Sequence, residues 1–123
     1  MSIRGIRGAI TVTADEKSDI LSATLELLAS ILSANPDLRT EGIASALFTV
    51  TDDIASVHPA QAARQIGWDQ VPMLCAREIP VPGSTPLCIR VLIHWNTDRA
   101  QSAIRHVYLR EAASLRPDLA ESA

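Results

Sequence analysis

The chain has 123 residues, of which 47% are hydrophobic although only 3% are aromatic. This length and composition predict one domain over residues 1–123 with a core of aliphatic side chains, and a flexible tail from about residue 117. The net charge of −3 argues against nucleic acid or an anionic membrane surface as a partner, because both require clustered basic residues.

The first third of the chain predicts a strand followed by a long helix. Residues 3–12 alternate between apolar and other side chains, which places Arg7 on the less apolar face of the strand. Thr13 and Glu16 have the spacing of a capping box, and the apolar residues of 20–32 recur at a helical period. We expect this helix to cover one face of a sheet.

The middle of the chain predicts a strand, a short helix and a second strand. Residues 43–51 are rich in β-branched and apolar types, and a polar turn follows them. A short helix is predicted with Pro59 at its first position and Gly67 just after its end. The next strand is predicted over residues 71–81.

The last predicted strand, over residues 87–95, carries a charge within an apolar run. Arg90 lies on its less uniformly apolar face, where a buried guanidinium would require a partner. For residues 98–115 the pattern fits either a helix or, at residues 106–109, a short fifth strand.

The cysteines and the N-terminus indicate the compartment. Cys75 and Cys88 are too few for a disulfide framework and lack the spacing of zinc ligands. The N-terminus has no apolar segment typical of export, and no apolar run approaches about 18 residues. We therefore predict reduced thiols, no metal and a cytoplasmic protein.

Several arginines on separate segments are the main candidates for a functional site. No phosphate-binding loop, serine-hydrolase motif or zinc-peptidase motif is present in the sequence. Arginine forks bind carboxylates in bidentate fashion, so such a set would suit a small dianionic organic acid. The candidate residues are Arg7, Arg64, Arg90 and Arg116, with Glu78, Cys75 and Tyr108 as possible additions.

Five motifs, in this order, cover most of the chain: IRGIRGAITV, VHPAQAARQIGW, VPMLCAREIPV, CIRVLIHWNTD and IRHVYLREAASLRPDL. Together they resemble the monofunctional, trimeric, barrel-like class of chorismate mutases. The resemblance implies an α/β (α+β) fold: a mixed five-stranded sheet with one long and one or two short helices. It also implies a homotrimer that forms a pseudo-α/β barrel, with the active sites at the subunit interfaces.

The resemblance further implies the reaction and the residues that serve it. The reaction is the pericyclic rearrangement of chorismate to prephenate in phenylalanine and tyrosine biosynthesis, which needs no cofactor. Arg90 would be the cation beside the ether oxygen, and Arg7 a carboxylate ligand that approaches the same region. Glu78 and Cys75 would contact the ring and its hydroxyl, and Tyr108 a carboxylate. The remaining substrate-binding positions would be Arg64, Arg116, Leu115, Leu74, His58 and Ala60.

Three positions depart from the family pattern, and one pair is geometrically awkward. His58 replaces the usual Phe, Gln61 a common Lys and Leu74 an expected Thr, which affects substrate affinity and pocket closure rather than the reaction. Cys75 and Glu78 are three residues apart, so an ideal strand would direct them to opposite faces. Either the strand has a bulge, or the two residues reach one pocket from different subunits.

Two other functions are compatible with an arginine-rich carboxylate site. One is a trimeric imine or enamine deaminase, which would also hold a carboxylate with an interface arginine. The other is a non-catalytic protein that binds a small dicarboxylate. The IRGIRG and RHVYL motifs do not support the deaminase.

Overall fold

The computed structural model describes residues 2–115. Arg116 and the predicted flexible tail from about residue 117 lie outside this described part. The regular elements, in chain order, are β1 (Ser2–Thr11), α1 (Lys17–Ala34), β2 (Ile43–Val50), α2 (Ala60–Gln65), β3 (Met73–Arg77), β4 (Cys88–Thr97) and β5 (Val107–Tyr108). Short 3₁₀ helices occupy Thr40–Gly42, Gln101–Ala103 and Arg110–Ser114.

The five strands form one sheet in the order β3-β2-β4-β1-β5. β4 is antiparallel to its neighbours β1 and β2, whereas the pairs β1 with β5 and β2 with β3 are parallel. The sheet is therefore mixed, which confirms the predicted α+β fold. β4 lies at its centre and is hydrogen-bonded on both sides, so the positions of its side chains are well fixed.

Helix α1 covers only one face of this sheet. Ile10, Phe48 and Ile89 are fully buried on that face, in the same cluster as the apolar stripe of α1. Arg7 and Arg90 point to the opposite face, which we call the open face. Strands β1 and β4 thus alternate as predicted, with their charged side chains directed away from the main core.

The close approach of α1 to β1 depends on a glycine. A Cβ atom at Gly8 would lie 2.7 Å from Ile31 Cδ1 and 3.1 Å from Val91 Cγ1, closer than side-chain atoms normally approach. At Gly5 the nearest atom, Leu92 Cδ1, would be 3.6 Å away, an ordinary contact. Of these two glycines, only Gly8 is therefore needed for a close approach.

Helix α1 lacks the side-chain cap that its sequence predicts. It starts at Lys17 with Glu16 as the N-cap, and no side chain caps it, so the predicted capping box of Thr13 and Glu16 is wrong. The preceding residues form a loop, in which Asp15 Oδ1 accepts hydrogen bonds from the backbone N–H groups of Ala55 and Ser56, both at 3.0 Å. The capping spacing is thus overridden by a tertiary contact.

The other boundaries differ by a few residues from the predictions. α2 begins at Ala60, with Pro59 in the N-cap position, and Gly67 follows its end at a φ of +96° as expected. β3 is limited to Met73–Arg77, because Pro72 and Pro80 cannot donate ladder hydrogen bonds. At the C-terminal end, the alternative of a short fifth strand is confirmed, and residues 98–115 form no long helix.

The last 3₁₀ helix covers one end of the open face. Ala9, Cys88, Tyr108 and Ala112 form a small second buried cluster there, and Leu115 packs against it. The open face is therefore closed at this end and accessible between β1 and β3. Within residues 2–115, no helix combines the length and apolar character needed to cross a bilayer.

Candidate active site

A cavity of about 460 Å³ lies on the open face of the sheet. It is lined by Arg7, Gly8, Leu47, Thr49, Glu78, Arg90, Val91, Leu92, Tyr108 and Leu115. Five of the candidate residues from the sequence are among them, although they come from segments that are far apart in the chain. The structure thus brings together Arg7, Glu78, Arg90, Tyr108 and Leu115.

The strand register explains how these side chains meet. Arg90 on β4 pairs directly with Thr49 on β2 and with Ala9 on β1. Tyr108 pairs with Ala9 from the other side of β1, and it is buried in the second cluster. Because neighbouring strands are about 4.8 Å apart, residues aligned across the sheet present their side chains side by side on one face.

Glu78 follows β3 and joins the same group. Its backbone N–H donates to Val50 O at 2.8 Å, which extends the β2–β3 ladder by one residue. Its side chain has the same parity as the open-face residues of β3, and its Oε2 accepts a hydrogen bond from Thr49 Oγ1. Arg90 Nε lies 3.5 Å from that oxygen, within ion-pair distance.

The Arg90–Glu78 pair is close but incompletely satisfied. Arg90 Nε is buried and, among residues 2–115, donates no hydrogen bond, so its contact with Glu78 is electrostatic only. The side chains of Arg90 and Glu78 are 43% and 26% exposed, respectively, so solvent screens much of their attraction. The guanidinium therefore keeps capacity to bind another anion in the cavity.

The charge of the cavity differs in sign from that of the whole chain. Its lining contains two arginines and one glutamate, a formal charge of +1, whereas the chain carries −3. Tyr108 adds a phenolic hydroxyl, and Leu47, Val91, Leu92 and Leu115 add apolar surface. This combination suits a small organic anion with an apolar ring.

A clamp holds the C-terminal side of the cavity in place. Arg110 adopts a φ of +55°, which is unfavourable for a residue with a side chain. Its Nη1 donates to Thr11 O at 2.9 Å and its Nη2 to Glu26 Oε1 at 2.8 Å. These contacts tie the 3₁₀ helix that leads to Leu115 to both β1 and α1.

Cys88 lies directly beside the site but inside the protein. It is fully buried on the same face of β4 as Arg90, two residues away. Burial raises the pKa of the Cys88 thiol, and the positive charge of Arg90 opposes that shift. The thiol is therefore a packing group under the cavity and not a contact for a ligand.

The other candidate residues lie elsewhere in the same chain. Cys75 and His58 line a second cavity, of about 330 Å³, beside β3 on the side that faces away from the open face. Ala60 is buried in α2, Arg64 is exposed near the end of α2, and Leu74 is 73% exposed on β3. None of these residues lines the larger cavity.

The strand geometry excludes one of the two explanations for how Cys75 and Glu78 could reach the same pocket. Cys75 pairs with Phe48, and the β2–β3 register continues from Met73 to Arg77 without a shift. No bulge is present, and the two side chains point to opposite faces. The idea that a bulge brings them together is therefore wrong.

Sequence reasoning missed five residues that line the open-face cavity: Gly8, Leu47, Thr49, Val91 and Leu92. Leu47 and Thr49 lie on β2 with the parity of its open face, so the alternation within residues 43–51 could have indicated them. They were overlooked because threonine and leucine are common in strands and carry no charge that would mark a site.

The chain is similar to proteins of known class over nearly its whole length. The family model described as chorismate mutase type I matches residues 3–119. A chorismate mutase AroH from Thermus thermophilus is 60% identical over 117 residues, which cover 95% of this chain and 96% of that protein. A chorismate mutase AroH from Bacillus subtilis (strain 168) is 44% identical over 120 residues, covering 97% and 94%.

A solved structure agrees with these relatives. A chorismate mutase from Clostridium thermocellum superimposes with a TM-score of 0.86 and 43% sequence identity, covering 89% of this chain and 97% of that one. The resemblance inferred from the five motifs is thereby confirmed, including its mixed five-stranded fold. The chain belongs to the chorismate mutase type I family and is an isomerase of that class.

Proposed function

We propose that the open-face cavity binds the chorismate dianion and that its rearrangement to prephenate takes place beside Arg90. The observation that carries this proposal is the position of Arg90 on the central strand, next to Arg7 and Tyr108, in a cavity of net positive charge. A dianion with a cyclohexadiene ring matches both the charged and the apolar parts of this lining. The activity itself follows from the family.

A pericyclic rearrangement explains the types of residue found in the cavity. The reaction transfers no proton and forms no covalent bond to the enzyme, so it needs neither a general base nor a nucleophile. The site must hold a compact conformer of the substrate and stabilise the charge that develops on the ether oxygen as the C–O bond breaks. A cation fixed beforehand at that oxygen binds the transition state better than the ground state.

The proposed roles follow from this requirement. Arg90 donates to the ether oxygen, and Arg7 binds a carboxylate and approaches the same oxygen. Glu78 accepts a hydrogen bond from the ring hydroxyl. Within residues 2–115 both polar contacts of the Glu78 side chain use Oε2, so Oε1 is available for this bond. Tyr108 contacts the side-chain carboxylate, and Leu115 helps to close the cavity.

We further propose that the site is completed by a neighbouring copy in a homotrimer. Cys75, His58, Arg64, Ala60 and Leu74 would then reach the cavity of the adjacent subunit from their positions around the β3 edge. Arg116 would join the mouth of the cavity from beyond the described residues. The exposure of Arg7 and Arg90 in one copy supports this arrangement, because a dianion must be enclosed for strong electrostatic stabilisation.

The outer edge of the sheet offers a suitable surface for such a contact. β3 is an edge strand, and its neighbourhood exposes the large apolar side chains of Leu74 (73%), Ile79 (79%) and Val81 (57%). Exposed apolar side chains grouped in this way are typical of a protein interface. The unpaired cysteines suit a reducing compartment, and we propose the cytoplasm.

The test is an absorbance assay with purified protein and chorismate, combined with light scattering to measure the oligomeric mass. We expect the ultraviolet absorbance of chorismate to fall catalytically, with formation of prephenate, in a particle of three chains. Tight binding of chorismate in a calorimetric titration without any loss of absorbance would contradict the proposal. It would favour the non-catalytic binding protein instead.

A further inference from the structure

We propose that Thr49 is a positioning residue for this reaction: its hydroxyl fixes the Glu78 carboxylate beside Arg90, so that Arg90 is held in place for the substrate. This inference rests on the proposed role of Arg90 in the open-face cavity. Thr49 acts through Glu78 and, in this scheme, does not itself bind the reacting atoms. It is one of the cavity residues that the sequence did not indicate.

The contacts around one oxygen atom carry the proposal. Glu78 Oε2 accepts a hydrogen bond from the hydroxyl of Thr49 and lies 3.5 Å from Arg90 Nε. Thr49 and Arg90 are direct partners across the β2–β4 ladder, so their backbones are held at a fixed separation. The carboxylate is therefore bound from one strand and faces a cation on the next.

The Glu78 side chain needs such an anchor because it lies where the edge strand ends. It lies just after β3, at the edge of the sheet, and is followed by an exposed loop that includes Ile79 and Val81. A glutamate side chain in this position has several accessible rotamers, and water competes for its carboxylate. A hydrogen bond from Thr49, on the interior strand β2, selects one of these rotamers.

The surroundings of the Arg90 guanidinium indicate why the position of the Glu78 carboxylate matters. Its Nε is buried and has no hydrogen bond among the described residues, so the nearby carboxylate is its main electrostatic compensation. If Glu78 moved away, the guanidinium would lose that compensation and would shift to find another partner. Displacement of a catalytic cation by about 1 Å costs about 10²-fold in rate.

The experiment compares variants of Thr49 that keep or lose its hydroxyl group. Thr49→Val and Thr49→Ala both remove the hydroxyl, whereas Thr49→Ser keeps it. We expect a loss of about 10-fold or more in kcat for the first two, with little change in KM, because Arg7 and Tyr108 still bind the substrate. Thr49→Ser should restore most of the activity.

Ser45→Ala serves as the matched control. Ser45 lies on the same strand and faces the same side, and its hydroxyl is hydrogen-bonded to His94 Nδ1 at 2.9 Å, but it does not line the cavity. We expect wild-type kcat for Ser45→Ala. If Thr49→Val fails to fold, the comparison of Thr49→Ser with Thr49→Ala decides the question alone.

A double-mutant cycle separates positioning through Glu78 from a purely structural effect. In a Glu78→Ala background, Thr49→Val should cause no further loss of kcat, because its partner is already absent. Equal losses in both backgrounds, or wild-type kcat in Thr49→Val and Thr49→Ala, would overturn the inference. If instead the unmodified protein does not convert chorismate, it is the proposed function that fails.

Discussion

Two regions of the molecule hold the candidate residues, and they differ in how they are built. In the open-face cavity, Arg7, Arg90 and Tyr108 lie on three hydrogen-bonded strands, and the register of the sheet fixes their relative positions. Around the β3 edge, Cys75 and His58 lie on an edge strand and in a loop, beside a smaller cavity on the opposite side. The first region has two arginines in the lining of its cavity, whereas the second has exposed apolar surface.

This difference supports the proposal that one copy of the chain contains most of an active site and that a neighbouring copy supplies the rest. Cys75 and Glu78 cannot face the same substrate within one regular strand, since consecutive side chains alternate between faces. A symmetric assembly removes the conflict, because the β3 edge of one copy can cover the open face of the next. Single substitutions can test each region separately.

The largest expected effect is that of Arg90→Gln on the open face. Removal of the cation at the ether oxygen should lower kcat by about 10²–10³-fold, while the protein remains folded and trimeric. Steady-state kinetics with chorismate, together with circular dichroism and light scattering, measure this. Near-normal turnover in a folded variant would contradict the proposed mechanism.

The second effect concerns the packing of α1 against the buried face of the sheet. Gly8→Ala should lower the free energy of unfolding by about 1–3 kcal/mol, because its new Cβ would press on Ile31 Cδ1 and Val91 Cγ1. Urea denaturation measures the change. Gly5→Ala is the matched control on the same strand, and it should cause no comparable loss, since its Cβ would meet only Leu92 Cδ1 at 3.6 Å.

The third effect concerns the loop that carries His58. Hydrogen bonds from the backbone of Ala55 and from Ser56 lower the pKa of the Asp15 carboxyl. The stabilisation from Asp15 is therefore present above its unfolded pKa of about 3.9 and is lost as the pH falls through the lower folded value. Asp15→Asn should weaken the loop and raise KM a few-fold, with little effect on kcat.

The control for Asp15 is Asp69→Asn, at an exposed position. It should leave both KM and the acid stability unchanged. A KM for Asp15→Asn equal to that of the unmodified protein would show that the loop contributes nothing to binding. Acid titrations followed by circular dichroism would then still report the part played by Asp15 in stability.

The smallest effect distinguishes the two cysteines. Cys88 is fully buried with a raised pKa, so it should resist iodoacetamide in the native protein near neutral pH, whereas half-buried Cys75 should react faster. Because burial raises the pKa of Cys88, its contribution to stability is present below about pH 8.5 and is lost at higher pH. Peptide mass mapping after alkylation compares the reactivity of the two thiols. Modification of Cys88 before Cys75 would contradict the predicted order.

Much of the fold could be predicted from sequence, because alternation and turn residues are local signals. The faces predicted for the Arg7 and Arg90 side chains are correct, since both strands have clear apolar faces. The capping box failed because a tertiary contact of Asp15 competes with the local motif. The short strand β5 depends on its pairing with β1, which no local pattern encodes.

The candidate site was predictable only in part. A charged residue such as Glu78 within an apolar sequence indicates a possible site. Thr49 gives no such indication, although it donates a hydrogen bond to the Glu78 carboxylate. The separation of Cys75 from the open-face cavity follows from strand parity, which was visible as a conflict in the sequence. Strand parity does not indicate whether Cys75 contacts the substrate from a neighbouring copy, as proposed here.

The most direct test of the shared site is a subunit-mixing experiment with two inactive variants. Arg90→Gln disables the open face, and Arg64→Glu disables the β3-edge region by repelling the dianion. If neighbouring copies share each site, co-refolding at equal amounts should restore activity in roughly a quarter of the sites, because each needs one intact region from each variant. No recovery in mixed trimers verified by native mass spectrometry, or full activity of Arg64→Glu alone, would contradict the account.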